Sequence, residues 1–430
     1  MTLIDLGELR ADPVPVPVPR RRPPLGRPLR TLLVCVVALA TLAGAAPAPG
    51  RVRAVVPGAP AAEPFLVGDL LLIARPVEGV TDGSRDLVAY PLPERAATTA
   101  QRPAPRWRVR LPVVGELWGV AAAGDALVLS ANLAPDGAPD TIVLDAATGR
   151  LRWRQPGFSR LDASGRLLLE RPVGPPTVSA VDLASGRTIW STPGSFPPGA
   201  QYRVRNGTID RVLMLGYDGT AELRDAATGA VLRRAAVTRA AATPEPPRHQ
   251  VVGDLLLVLD GGVLRAYDLD RLEPRWSVEA PQVSYVLPCG VVLCAHTQPG
   301  GFRALDPATG ATRWTAPAWS GVLASGAGRV LVTAGQSAGD DYAALDAGTG
   351  AVVAEWGTWQ PLPAFEQDAP PVSLRRADDG RLVVVEWDLA AGRPRLLDVI
   401  ADASGACQAG KDAMVCRRRD GSFGVWRWRR

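Results

Sequence analysis

The sequence predicts an all-β repeat fold, and three observations support this. First, a motif of the form Asp-x-x-Thr-Gly, followed four residues later by Trp, returns about every 40 residues. Second, the segments between these motifs alternate apolar and polar residues or form short apolar runs, as β-strands do. Third, no convincing helical period occurs outside the N-terminal segment. A fixed period of this length indicates a repeat architecture, because one unit cannot bury its apolar face without neighbours.

In three places Asp, Gly and Trp keep a constant spacing of four residues, and one of these copies has Ser185 in place of Thr. These copies are Asp145, Gly149 and Trp153; Asp182, Gly186 and Trp190; and Asp306, Gly310 and Trp314. Three further copies are altered. Their residues are Asp225 and Gly229, with Arg233 in place of Trp; Asp268 and Trp276, without Thr-Gly; and Asp346 and Gly350, whose nearest tryptophan, Trp356, comes two places late.

Each copy of the motif has a physical interpretation. An apolar segment such as 141–144 precedes the Asp and has the alternation of a half-buried strand. Asp and Thr can bond nearby backbone groups, and Gly accepts a positive φ, so Asp-x-x-Thr-Gly predicts a tight reversal. The Trp lies on the strand that follows, where its large ring can fill the gap between adjacent sheets. About four strands per 40 residues is the composition of one β-propeller blade.

These residues resemble the pyrroloquinoline-quinone-like repeat, whose signature is Ala-x-Asp-x-x-Thr-Gly-x-x-x-Trp. The fullest match is the segment 304–314, and the resemblance covers roughly residues 62–430. That family includes quinone-dependent dehydrogenases, the lipoprotein scaffold of outer-membrane barrel assembly and many surface proteins of unknown role. The resemblance therefore implies the fold and leaves the function open.

The sequence predicts eight blades. Trp107 marks the end of a first blade whose turn is stretched by the Pro/Ala/Thr-rich segment 91–105, and six motifs follow. A last, irregular unit runs from about Gly380 to Trp428. Seven blades is the alternative, if the terminal strands only complete the first blade. We expect the ring to close by pairing of N- and C-terminal strands, because closure removes exposed sheet edges.

The N-terminal segment is a separate module. Residues 1–30 are basic and Pro-rich, with six Arg against three acids, and we expect a disordered cytoplasmic tail. The apolar segment within 31–49 predicts a single transmembrane helix with the propeller outside the cytoplasm. A cleaved signal peptide, giving a secreted protein, is the alternative. Residues 50–61 are expected to be a linker, and residues 62–430 the propeller.

The charge distribution gives no indication of nucleic-acid binding. The net charge is +5, but residues 1–30 carry an excess of three positive charges and residues 417–430 an excess of five. The body between them is therefore slightly acidic and has no basic stripe. Lys411 is the only lysine, which is typical of the amino-acid usage of a GC-rich genome.

Four cysteines outside the apolar segment predict two disulfides and an oxidising compartment. A two-residue turn at positions 411–412 would place Cys407 directly opposite Cys416. Cys289 and Cys294 need a reversal around Gly290, because an extended strand would hold them about 16 Å apart. Similar flanking residues suggest equivalent positions in two blades. Reduced core cysteines are the alternative.

Catalytic patterns are nearly absent from the sequence. The two histidines, His249 and His296, fall in different blades and are interpreted as isolated residues. The segments 136–140 and 340–341 contain paired Asp residues but lack the alternating ligands of a calcium loop, so ordinary turns are favoured. Quinone dehydrogenases of the resembled family use an adjacent Cys-Cys pair beneath the cofactor, and no two cysteines adjoin here. We therefore expect no cofactor and no catalytic residue.

The sequence leads to a functional expectation without naming a partner. We expect a monomeric, membrane-anchored, extracytoplasmic propeller that serves as a non-catalytic protein-interaction or ligand-binding scaffold. Its binding would use blade loops, especially the Pro-rich insertions 91–105, 194–200 and 360–371, and its partner would be a protein or a cell-wall component. The competing interpretation is a quinone- or sugar-dependent oxidoreductase with a site in the channel.

Overall fold

The structure is a computed structural model, and it describes residues 53–428 with short gaps. The gaps are 81–82, 95–98, 112–114, 134–136, 163, 195–198, 217, 239–246, 336–338 and 364–369. The expected cytoplasmic tail and apolar segment lie outside the described residues. Within the described part of the chain, no helix is long and apolar enough to span a bilayer.

The described residues form 35 strands, which we group into nine antiparallel units of four. Units 1 to 3 contain β2 (Glu63–Val67), β3 (Leu70–Pro76), β4 (Arg85–Pro91) and β5 (Trp107–Leu111); β6 (Leu117–Ala123), β7 (Ala126–Leu133), β8 (Ala138–Asp145) and β9 (Leu151–Pro156); and β10 (Phe158–Leu161), β11 (Leu167–Arg171), β12 (Thr177–Val181) and β13 (Thr188–Pro193).

Units 4 to 6 repeat this plan. They contain β14 (Gln201–Arg205), β15 (Thr208–Leu215), β16 (Thr220–Asp225) and β17 (Val231–Ala236); β18 (Arg248–Val252), β19 (Leu255–Asp260), β20 (Val263–Asp268) and β21 (Pro274–Glu279); and β22 (Val283–Cys289), β23 (Val292–Thr297), β24 (Phe302–Leu305) and β25 (Thr312–Ala316).

Units 7 to 9 share one strand and include the N-terminal strand. They contain β26 (Gly321–Gly326), β27 (Arg329–Ala334), β28 (Asp340–Asp346) and β29 (Val352–Pro361); the end of β29 with β30 (Val372–Arg376), β31 (Leu382–Asp388) and β32 (Arg393–Ile400); and β33 (Ala403–Ala409), β34 (Ala413–Arg418), β35 (Phe423–Arg427) and β1 (Ala54–Val56).

The expected count of eight blades is not confirmed. Hydrogen bonding gives eight sheets in the described part of the chain, but one of them has seven strands because β29 pairs with β28 over most of its length and with β30 at its end. Side chains on one face of β31, such as Val385 and Trp387, pack on unit 7, and those on the other face, such as Val384, pack on unit 9. The last irregular unit of the sequence is therefore two units.

Nine clusters of buried apolar side chains hold these units together, one at each junction. A cluster joins unit 1 to unit 2, another joins unit 2 to unit 3, and the series continues to unit 9. The last cluster contains Val415 and Val425 of unit 9 together with Leu71 and Ile73 of unit 1. The core is thus a continuous ring of junctions, as expected for a β-propeller.

The ring closes through the N-terminal strand, as the sequence predicts. Strand β1 pairs with β35, with Ala54 opposite Val425 and Val56 opposite Phe423. The expectation that residues 50–61 form a linker is therefore wrong for residues 54–56, which are the outer strand of unit 9. The other edge of β1 pairs with Gln101, whose backbone N–H donates to Arg53 at 2.8 Å. Part of the insertion 91–105 covers this sheet edge.

The motif residues join neighbouring units at five of the nine junctions. The Trp of one unit packs against the Gly of the following unit's turn, and its indole N–H donates to the carbonyl of the residue after the motif Asp at 2.8–3.1 Å. A β-carbon on any of these glycines would lie 2.5–2.7 Å from the ring. The pairs are Trp107 and Gly149, Trp153 and Gly186, Trp190 and Gly229, Trp276 and Gly310, and Trp314 and Gly350.

At two of the other four junctions, different residues stand where this Trp–Gly contact would be. At the junction of units 4 and 5, Arg233 stands where Trp is expected, and the facing turn has the buried Leu272 at φ +57° where the other turns have Gly. At the junction of units 7 and 8, the Arg329 guanidinium lies against Gly392 and donates to the Leu389 carbonyl at 2.7 Å. That carbonyl follows Asp388 and is equivalent to the one that accepts the indole N–H elsewhere.

Both predicted disulfides are present. Cys407 and Cys416 are joined between β33 and β34, whose register places Gln408 opposite Val415 around the turn at 411–412. Cys289 and Cys294 are joined between β22 and β23 across the reversal at Gly290. Each bond links the first and second strands of its unit, but the positions within the strands differ, because Cys289 is opposite Val292 and Cys294 is opposite Leu287.

Candidate functional site

The first strands of the units lie at the centre of the propeller. First strands of neighbouring units contact each other, for example β2 with β6, β14 with β18, and β22 with β26. Side chains also connect them across the junctions. The Gln408 carboxamide of β33 accepts a hydrogen bond from the Leu66 backbone N–H of β2 at 2.7 Å, and Gln250 of β18 bonds the Val286 backbone of β22.

Large apolar side chains are exposed near the start of four first strands. We call them the inner rim: Trp118, Phe158, Tyr285 and Leu323. Trp118 and Phe158, on the adjacent units 2 and 3, are 41% and 42% exposed, and their rings are 5.9 Å apart. Because every first strand follows the fourth strand of the preceding unit, these starts lie at the same end of the propeller. The inner rim is an accessible aromatic surface around the central axis.

β-bulges shape this rim. In β6, β22 and β26 the register shifts by one residue near the start of the strand, and the extra residues are Trp118, Ser284 and Leu323. A bulge interrupts the alternation of a strand and redirects the side chains beside it. Two of the four rim residues are thus bulge residues, and Tyr285 directly follows the third bulge.

A polar group lies beside the rim at the junction of units 3 and 4. Glu170 accepts hydrogen bonds from the Ala200 backbone N–H at 2.9 Å and from the Tyr202 hydroxyl at 3.3 Å. Burial raises the pKa of the Glu170 carboxyl and also raises the pKa of Tyr202, on which the Glu170 charge acts in the same direction. The Arg160 guanidinium lies over the Tyr202 ring, 5.4 Å from its centroid. Glu170 thereby fixes the end of the insertion 194–200 on unit 3.

A cavity of about 300 Å³ lies at the junction of units 5 and 6. Its apolar wall includes Leu257, Leu259 and Leu264. Its polar lining includes His249 and Tyr285. The second histidine, His296, stacks on Tyr285 with ring centroids 4.3 Å apart. The two histidines, interpreted from the sequence as isolated, lie in units 5 and 6, and it is His296 that stacks on Tyr285.

The remaining sequence candidates do not converge on this cavity. Each motif Asp caps its own turn: Asp145, for example, accepts hydrogen bonds from the backbone N–H and the hydroxyl of Thr148 at 2.9 and 2.7 Å. Asp140 is paired with Arg154, and Asp341 accepts from the Thr358 hydroxyl at 2.7 Å. Among the described residues, no three His, Cys, Asp or Glu side chains are grouped as metal ligands would be.

Solved structures with similar folds come from several kinds of protein. BamB from Moraxella catarrhalis is 16% identical over 85% of this chain and 94% of that chain, with a TM-score of 0.42. The computationally designed Ika8 protein is 16% identical over 73% and 98%, with a TM-score of 0.45. A europium-containing methanol dehydrogenase is 13% identical over 78% and 84%, with a TM-score of 0.43.

The sequence itself identifies the family. No curated protein matches it. The family described as "Outer membrane protein assembly factor BamB" matches residues 96–243 and 174–317, which together span units 2 to 6 and more than half of the chain. The repeat motif, the Trp–Gly contacts and this match agree. The chain belongs to the BamB family of pyrroloquinoline-quinone-like repeat β-propellers.

Proposed function

We propose that this chain is a non-catalytic, monomeric scaffold that binds a protein partner through the inner rim. The exposed Trp118–Phe158 pair is the observation that carries the proposal. Adjacent exposed aromatic rings at one end of a rigid ring are typical of surfaces that bury apolar area in a complex. Protein assembly is also what the family's description assigns to its members.

The compartment forms part of the proposal. Two disulfides favour an oxidising environment, so the propeller would lie outside the cytoplasm. The basic segment before the apolar run favours a single-pass anchor in the cytoplasmic membrane. Fractionation should find the full chain with membranes, and protease added to spheroplasts should digest the propeller. A soluble form beginning near Ala46 would instead establish signal cleavage.

Site-specific photocrosslinking in cells tests the interaction surface. A photoreactive amino acid at Phe158 should capture a discrete partner, because Phe158 lies in the inner rim. The same amino acid at Ile189, an exposed apolar residue on the fourth strand of unit 3, serves as the matched control and should capture none. The substitution Trp118→Glu should abolish capture from position 158. Equal capture from both positions, or capture unaffected by Trp118→Glu, would refute the rim as the binding surface.

A quinone- or sugar-dependent oxidoreductase is the second candidate. The observation that favours it is the cavity at units 5 and 6, whose lining includes His249, Tyr285 and apolar side chains. Titration of the protein with pyrroloquinoline quinone and calcium should give no saturable fluorescence quenching and no thermal shift if the scaffold proposal holds. Stoichiometric micromolar binding, with dye reduction by an alcohol or sugar, would establish the oxidoreductase.

A further inference from the structure

A second cavity, at the junction of units 3 and 4, is lined mainly by polar and charged side chains. It measures about 460 Å³, which is within the size range of small-molecule sites. Unit 3 contributes Thr192, Pro193 and Gly194, at the end of β13. Unit 4 contributes the side chains of Met214, Asp218, Thr220, Glu222, Arg224 and Arg234. No inner rim residue is among the lining residues, so the cavity is a separate feature of the propeller.

The charged wall of this cavity departs from the repeat. Glu222 and Arg224 lie three residues and one residue before the motif Asp225. They alternate with Ala221 and Leu223, which pack on unit 5, so they face unit 3. A charged pair on a face that packs against a neighbouring unit costs desolvation, and such departures are expected at functional sites. In the other five motif units the residue before the motif Asp is Leu144, Val181, Tyr267, Leu305 or Leu345.

The charged wall is held in place before any ligand binds. Met214, Glu222 and Arg234 are directly opposite one another on three adjacent strands. The Glu222 carboxylate accepts hydrogen bonds from Arg224 Nε at 2.6 Å and from Arg234 Nε at 3.0 Å. Arg224 Nη1 also donates to the Gly229 carbonyl at 2.7 Å, which ties the wall to the motif turn. A site with fixed walls loses little conformational freedom on binding.

The cavity keeps hydrogen-bonding groups that the fold does not use. Thr192 is only 6% exposed, and its hydroxyl has no hydrogen-bond partner among the described residues. Arg234 Nη1 makes no hydrogen bond within the described part of the chain, because the bonds to Glu222 use Nε and Nη2. The Asp218 carboxylate accepts from the backbone N–H and the hydroxyl of Thr220 and has lone pairs left. A buried hydroxyl without a partner favours a ligand group or a water molecule beside it.

The balance of charges indicates the class of ligand. The carboxylates of Asp218 and Glu222 are matched by the guanidinium groups of Arg224 and Arg234, so the lining carries no net charge. A net anion or a net cation therefore gains no advantage there. Donors and acceptors stand close together, and this mixture suits hydroxyl groups, which both donate and accept. Met214 adds an apolar surface for the C–H groups of a ligand.

We propose that this cavity binds a neutral monosaccharide, whose hydroxyl groups bond Thr192, Asp218 and Arg234. The site is separate from the inner rim, and the proposal does not depend on the scaffold function. Ordered water alone is the competing occupant of the space beside Thr192.

Saturation-transfer NMR with the full-length protein tests the ligand class. Glucose, galactose and mannose are the probes, and at least one should bind saturably at concentrations up to about 10 mM. Cyclohexanol has a ring of the same size with a single hydroxyl, and it should bind at least about tenfold more weakly because most hydrogen bonds are lost. The uronic acid of the bound sugar should also bind more weakly, because its charge has no free partner in a neutral lining.

Two variants test the site itself. Thr192→Val removes the hydroxyl and nearly keeps the shape, so it should weaken sugar binding about three- to tenfold. Its thermal melting should not change, because the hydroxyl has no partner in the fold. The double variant Glu222→Ile with Arg224→Leu copies Ile142 and Leu144 of unit 2 and should abolish binding.

A matched control removes an equivalent ion pair elsewhere. Glu386 and Arg395 are opposite each other in unit 8, with their charged groups 2.8 Å apart. Glu386→Ile with Arg395→Leu should leave sugar binding unchanged. Absence of saturable binding by all three sugars, equal binding of cyclohexanol or the uronic acid, or full affinity in the Thr192 and Glu222 variants would overturn the proposal and leave water as the occupant.

Discussion

The indole of Trp153 lies against Gly186 so closely that a β-carbon at position 186 would fall 2.7 Å from the ring. The Trp153 indole N–H donates a hydrogen bond to the Leu183 carbonyl at 2.8 Å, and Gly186 has φ +69°. One junction is thus fixed by three properties: a ring that fills the gap, a hydrogen bond that orients the ring, and a turn residue without a side chain. The same relationship recurs at four other junctions.

Gly186→Ala should destabilise the propeller by about 2–4 kcal/mol, because it combines the cost of a positive φ with displacement of a buried ring. The midpoint of urea denaturation measures this effect. Gly253→Ala is the matched control, since Gly253 has φ +57° but no atom within 4 Å of the added carbon. It should cost only about 1 kcal/mol. Equal losses in both variants would show that the ring contact contributes nothing.

The junction of units 4 and 5 offers a second test, because both halves of the contact have changed there. Leu272→Gly should destabilise by removing a buried side chain, and Arg233→Trp should also destabilise, because the ring would meet Leu272. The double variant should be more stable than the sum of the single effects by about 1–3 kcal/mol. Arg234→Trp, one residue along the strand, should show additive behaviour with Leu272→Gly. If the effects of Arg233→Trp and Leu272→Gly on stability were simply additive, the two residues would not compensate for each other.

The sequence predicts the repeated turns and tryptophans, but it does not predict the contacts that replace them at the altered junctions. The Asp-x-x-Thr-Gly period predicts the turns, and the Trp spacing predicts a ring between sheets, because both depend on residues close in the chain. Arg329 and Gly392 are in neighbouring units and far apart in the chain, and nothing in the local sequence of Arg329 shows that it replaces an indole. The sequence therefore predicts one irregular unit where the structure has the eighth and the ninth. His249 and Tyr285 likewise line one cavity only through the packing of two units.

The disulfides should protect four cysteines and add modest stability. Without reductant, thiol alkylation should leave Cys289, Cys294, Cys407 and Cys416 unmodified, and peptide mapping should link them as 289–294 and 407–416. Each bond closes a loop of fewer than about 15 residues, so replacing either pair by serine should cost at most about 2–3 kcal/mol and lower the melting temperature without abolishing the fold. Quantitative labelling of all four would exclude the disulfides.

The turn aspartates should make the propeller sensitive to acid. The Arg152 side chain, followed by Thr148, lowers the pKa of Asp145 to about 2, and hydrogen bonds also lower the pKa of Asp182, Asp306 and Asp346. The unfolded chain binds protons at higher pH than the folded chain, so this stabilisation is complete above about pH 4 and is lost as the pH falls toward 2. Melting temperatures measured between pH 7 and pH 2.5 should show this loss. Asp145→Asn should flatten the profile, and an unchanged profile would contradict the assignment.

The closing strand provides the last prediction. Ala54 and Val56 face the cluster that joins units 9 and 1 and are fully buried, whereas the intervening Val55 points to the other side and is partly exposed. Val56→Asp should therefore bury an unpaired charge and destabilise the ring by about 3–5 kcal/mol. Val55→Asp, its neighbour in the same strand, should cost less than about 1 kcal/mol. Urea denaturation of the two variants measures the difference. Similar small losses in both would show that residues 54–56 behave as the linker that the sequence predicts, and that the ring closes without them.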